Sequence, residues 1–98
     1  MVAPQVTIDL DLIHQAQAEH DQSRTELTGV VEGRLYAYIY RMTFDQHLAE
    51  DLTQETLITM LESLPKLKFE AVGPFWAWLY RVALSKIQRH FSPHLGPF

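Results

Sequence analysis

Apolar residues recur along this chain at intervals of three and four, the spacing of helices that bury one face. Ile8 to about His20 places Leu10, Leu12, Ile13, Ala16 and Ala18 in a loosely amphipathic first helix. Asp21 to Thr25 reads as a break, and Ser23-Arg24-Thr25-Glu26 fits a capping box. A second helix then runs to about Met42, with Leu27, Val30, Val31, Leu35, Ala37, Tyr38, Ile39 and Met42 as a wide apolar face. Gly29 and Gly33 lie inside it, and their four-residue spacing predicts a close approach by another helix. Asp45 is a suitable N-cap for a third helix, Gln46 to about Leu64, buried through Ala49, Leu52, Leu57, Met60, Leu61 and Leu64. Pro65 ends it, because proline cannot continue a helical hydrogen-bond ladder. Lys66 to Gly73 is a connecting loop whose Leu67, Phe69 and Val72 should tuck against the helices or hold a ligand. Gly73 as cap and Pro74 as first helical residue open a fourth helix, Phe75 to Phe91. The expected fold is all-α: a compact bundle of about four helices, with no strand pattern and no repeat. Residues 1–22 form a leader and N-terminal helix, residues 23–92 the main helical domain, and residues 93–98 a tail or the start of a linker. The whole is expected to be one domain.

Two helix faces depart from simple amphipathicity. At about 100° per residue, Phe75, Trp76, Leu79, Tyr80, Val82, Ala83, Leu84, Ile87 and Phe91 share one arc of the fourth helix and can pack a core. The opposite arc carries Trp78, Arg81, Ser85, Gln88 and Arg89. A large aromatic set among cations and amides can hold phosphates and stack on a base. The plainer alternative is that Trp78 covers a helix end and the arginines are solvated. On the third helix, Asp51, Gln54, Glu55 and Glu62 surround Ile58. An apolar centre with a polar rim suits docking, although a solvated acidic face with one stray isoleucine looks the same in sequence.

Charge sharpens this contrast. The formal net charge is −4, which on its own argues against nucleic acid. Residues 1–70, however, hold five Lys/Arg and twelve Asp/Glu, whereas residues 71–98 hold three Lys/Arg and no acid. An acidic body with a basic end suggests two partners of opposite character. The 98 residues include no cysteine, so disulfides and thiolate metal sites are ruled out. No apolar run is long enough to span a bilayer, and the N-terminus lacks the order of a signal peptide. A soluble, cytoplasmic protein is expected. There is no GxxxxGK[ST], GxSxG or HExxH motif. His90 and His94 are four apart, but Pro93 breaks the helix that would align them. Asp51 and Glu55 have no histidine or lysine beside them to make an acid–base pair. Neither an enzyme nor a metal or other cofactor is expected.

Ala49-Glu50-Asp51-Leu52-Thr53-Gln54-Glu55-Thr56, followed about twenty residues later by Phe75-Trp76-Ala77-Trp78-Leu79-Tyr80-Arg81-Val82-Ala83, resembles region 2 of bacterial sigma factors. The likeness is to the extracytoplasmic-function (ECF) group of the sigma-70 family. It rests on an AED-x-x-QE pattern and then F-x-x-WL-x-R-[IV]-A, with Phe69 and Phe75 as the flanking phenylalanines. Leu35 to Thr43 resembles the preceding helix, so the likeness spans about Glu26 to Phe91.

The resemblance implies a transcription initiation module. Its acidic helix would dock on the clamp helices of the RNA polymerase β′ subunit through Asp51, Gln54 and Glu55, to which the acidic face read above adds Ile58 and Glu62. Its last helix and the loop before it would read and melt the promoter −10 element. One non-template base would be flipped out and held by the loop, which implies Phe69 and the loop to Gly73, with Trp78, Arg81, Ser85, Lys86 and Arg89 on the helix; Gln88 joins them from the polar arc read above. An anti-sigma factor is a further partner that the family implies. Relatives often carry asparagine where Ser85 stands and a polar loop where Glu70-Ala71-Val72-Gly73-Pro74 stands. A second function therefore stays open: a module of this fold that binds polymerase or an anti-sigma factor without reading DNA. The apolar loop and net acidity favour it, whereas the basic terminal helix and Trp78 favour promoter recognition. The family's region 4 has no counterpart in these residues. The chain is accordingly expected to be a fragment, cut in the linker near Pro93, rather than a stand-alone domain.

Overall fold

The computed structural model describes residues 8–91. The expected leader before Ile8 and the tail from Ser92 lie outside them. Four helices follow in order: α1 (Leu10–Gln17), α2 (Asp21–Thr43), α3 (Gln46–Ser63) and α4 (Val72–Phe91), with a single 3-10 turn at Leu64–Lys66. The all-α expectation holds, and there is no strand among the described residues.

Local chemistry sets each boundary. Asp9 caps α1 by accepting the Leu12 amide at 2.8 Å. The helix is shorter than expected, because Glu19 takes a left-handed conformation (φ 61°) and its amide returns to the Ala16 carbonyl at 3.0 Å. The break therefore falls at Ala18–His20 rather than at Asp21–Thr25. The Ser23 capping box does not form. Instead the His20 imidazole accepts the Ser23 amide at 3.4 Å, and the Ser23 hydroxyl donates to Gln15 Oε1 at 2.8 Å. Ser23 is thus buried in the first turn of α2 and ties it to α1. The Asp45 cap forms as expected, accepting the Leu48 amide at 3.0 Å. Helix α4 starts at Val72, placing Pro74 third in the helix rather than first. Proline is tolerated there because first-turn amides have no intrahelical acceptor.

The core is narrower than the sequence pattern implies. Helix α2 buries Leu27, Val31, Leu35 and Ile39, one residue per turn, while Ala37 and Met42 are exposed. Helix α4 likewise buries Phe75, Leu79, Ala83 and Ile87, and leaves Phe91 52% exposed. Two threonines complete the α3 side of the core. Thr53 and Thr56 are buried because their hydroxyls donate to the Ala49 and Leu52 carbonyls at 2.6 and 2.7 Å. The close approach expected at Gly29 and Gly33 does not occur. Both are exposed, and a Cβ added at either would meet nothing within 4 Å. No helix among the described residues is long and apolar enough to cross a membrane.

Candidate nucleic-acid interface

Helix α4 turns one flank toward α3, and a groove of about 480 Å³ lies between them. Trp78, Arg81, Val82, Ser85, Lys86 and Arg89 line it from α4, and Thr59 lines it from α3. Spacings of three and four residues bring these α4 side chains onto one strip. Three of the lining residues are cations and none is an acid. In a chain with an excess of carboxylates, this groove is therefore locally positive. Arg81, Ser85 and Arg89 are exposed, and Lys86 is half-buried. Gln88 is exposed but is not among the residues lining the groove.

Trp78 was expected to face water, and the structure gives it a floor instead. The indole is half-buried, with its centroid 5.6 Å from Phe69 and 6.2 Å from Phe75. Phe69 meets Phe75 edge-on at 5.6 Å. The tryptophan is thus braced by two core rings while still lining the groove. Phe69 itself is only 8% exposed. Its ring packs on Phe75 and Trp78, so the expected contact residue lies under the indole rather than beside it on the surface.

The loop that carries Phe69 is fixed from α1. Gln17 Nε2 donates to the Leu64 carbonyl at 3.0 Å and to the Leu67 carbonyl at 2.7 Å. His14 Nε2 lies 2.9 Å from the Phe69 carbonyl, and because a carbonyl only accepts, the imidazole donates. These positioning residues were missed in sequence. Each partner lies about fifty positions away, and no local pattern signals a polar side chain waiting for a distant carbonyl.

The acidic stripe stands apart on α3. Asp51, Gln54, Glu55, Ile58 and Glu62 are all exposed and follow one another at helical spacing along one side, with Ile58 at 57% exposure. Gln54 Nε2 donates to Glu32 Oε2 at 3.0 Å across an exposed contact with α2. Asp51 and Gln54 also line a groove of about 580 Å³ with Glu32, Gly33, Tyr36, Glu50 and Thr53. Gly33 thus keeps the α2 wall of that groove low.

A second aromatic cluster, missed because Trp76 and Tyr80 fell in the apolar arc, joins α2 to the other flank of α4. The Arg34 guanidinium carbon sits 4.0 Å above the Trp76 ring, and Arg34 Nε donates to the Tyr80 hydroxyl at 3.2 Å. Tyr80 stacks on Trp76 at 5.7 Å and meets Tyr38 at 4.8 Å. The available signal was Arg34, Tyr38 and Arg41 at helical spacing on α2.

The family model described as sigma-70 region 2 matches residues 30–93. Among curated proteins, the chain is 43% identical over 49 residues to a protein named ECF RNA polymerase sigma factor SigE from Mycolicibacterium smegmatis, covering 50% of this chain and 18% of that protein. It is 29% identical over 83 residues to one named ECF RNA polymerase sigma factor BldN from Streptomyces coelicolor, covering 85% of this chain and 31% of that protein. The chain thus spans less than a third of the length of these relatives. No solved structure gives a significant match.

Proposed function

Given that the chain belongs to the sigma-70 region 2 family, we propose that it acts in bacterial transcription initiation, joining RNA polymerase to the single-stranded −10 element of a promoter. The observation that carries this reading is the groove on α4, where Trp78, Arg81, Ser85, Lys86 and Arg89 meet with no acid among the lining residues. A strand laid there gives its phosphates to the cations and one base to the indole. Stacking on an aromatic is worth ~1–3 kcal/mol per base, enough to offset part of the cost of unpairing. The Phe69–Phe75 floor supports this role by removing the freedom that Trp78 would otherwise lose on binding. The stripe Asp51, Gln54, Glu55, Ile58 and Glu62 is the proposed contact for the β′ clamp helices. Its exposed isoleucine inside a polar rim supports that assignment.

A second reading rests on Phe69. Its burial weighs against a direct base contact, and the segment Glu70-Ala71-Val72-Gly73-Pro74 offers little polar chemistry to hold a flipped base. On that reading the chain binds polymerase or an anti-sigma factor and does not read DNA.

Titration of the chain with a fluorescent −10 non-template oligonucleotide, with a β′ clamp-helix fragment present, separates the two at low and moderate salt. Under the first reading, binding is salt-sensitive and is lost in Trp78→Ala and Arg81→Ala. Clamp binding that is lost in Gln54→Ala or Glu55→Arg, with no DNA binding at any salt, leaves only the second.

A further inference from the structure

We infer that the α2 side of α4 carries a second site for a phosphodiester of nucleic acid, formed by Arg34 and Arg41 with Tyr38 and Tyr80. It extends the DNA-binding reading above and rests on it for the identity of the strand. The site is a recess of about 250 Å³ lined by Arg34, Ala37, Tyr38, Arg41 and Tyr80, with no carboxylate among them. Arg34 is already oriented: its guanidinium lies on Trp76 at 4.0 Å, and its Nε–H is given to the Tyr80 hydroxyl at 3.2 Å. The four remaining N–H donors are not used by that contact. Because Tyr80 accepts from Arg34, its own O–H is left to donate, and Tyr80 is one of the residues lining the recess.

Arg41 is seven residues on from Arg34, two helical turns, and so lines the same recess from the same side of α2. Ala37 between them is exposed and short, which leaves the floor open. Two guanidiniums and two phenols form a set of donors suited to an anion with several oxygens, and arginine matches phosphate with paired N–H bonds. Arg41 lines the recess as a second guanidinium with no carboxylate beside it, in a chain where acids outnumber Lys and Arg. Helix α4 takes part in both surfaces, through Trp78 and Arg81 on one flank and Trp76 and Tyr80 on the other. A strand of several nucleotides can therefore engage the helix from both sides.

The chain's two tryptophans report on the two sites separately. In the ¹⁵N-labelled 98-residue chain their indole N–H signals are assigned with Trp76→Phe and Trp78→Phe. A short thymidine-rich single-stranded oligonucleotide is then titrated in at low salt. The expected result is that the Trp76 indole and Arg34 Nε signals move together with the Trp78 indole. Arg41→Ala, which leaves the Trp76 stack untouched, should weaken binding and lower the salt slope by about 0.7, the loss of one single-strand phosphate contact. Movement of Trp78 alone, or an Arg41→Ala protein with unchanged affinity and slope, overturns this site and leaves the groove reading intact. Movement of Trp76 alone supports this site and removes the groove reading. No movement of either removes both. Sodium pyrophosphate at matched phosphate concentration is the remaining arm. If it moves Trp76 as strongly as the oligonucleotide does, the site binds free phosphate and the strand is rejected as its ligand.

Discussion

Asp51, Gln54, Glu55, Ile58 and Glu62 come from one uninterrupted helix, whereas the groove around Trp78 draws on α3, the Leu67–Ala71 loop and α4 together. The stripe forms wherever α3 forms, because helical spacing alone puts its side chains in line. The groove needs α4 seated on its core, Phe69 under the indole, and the loop carbonyls held by α1. A surface made by one element tolerates distant change. A surface assembled from several inherits the weak points of each.

The difference can be broken most forcefully at Phe75. It is fully buried and lies beneath both Phe69 and Trp78. Phe75→Ala is expected to cost about 3–5 kcal/mol in urea unfolding. Where the protein stays folded, tryptophan fluorescence should lose its ordered environment, since both Trp76 and Trp78 pack on Phe75, while the polymerase contact proposed for the α3 stripe should persist. A smaller effect is expected at Gln17. Gln17→Ala takes a donor from the Leu64 and Leu67 carbonyls, the first of which keeps the Leu67 amide at 3.1 Å, and should cost about 1 kcal/mol. Amide exchange should quicken between Leu64 and Ala71, and DNA affinity should fall with clamp affinity unchanged. Equal losses at both surfaces would show that the loop is not an independent weak point. Gly33→Ala should give the smallest change and the opposite sign. The added methyl meets nothing within 4 Å, so the helix should gain roughly 0.5–1 kcal/mol, visible as a higher Tm, with both surfaces intact.

The same division explains what could be read from the chain. The Asp45 cap, the α3 stripe and the cationic strip of α4 depend on residues within a turn or two of one another, and periodicity recovers them. The start of α2 was misplaced because a capping box and an imidazole cap compete for one amide, and only the packing of Ser23 against Gln15 decides between them. Gly29 and Gly33 suggested a close approach through their spacing, yet spacing does not say which way a face points. Gln17 and Arg34 act on partners far along the chain, and Phe69 reaches its rings on α4 from the loop before it, so their roles appear only once the helices are brought together.

The bond from His14 to the Phe69 carbonyl joins residues 55 positions apart. No residue of α1 lines the groove beside Trp78, yet loss of α1 would release the segment that carries the ring under that indole.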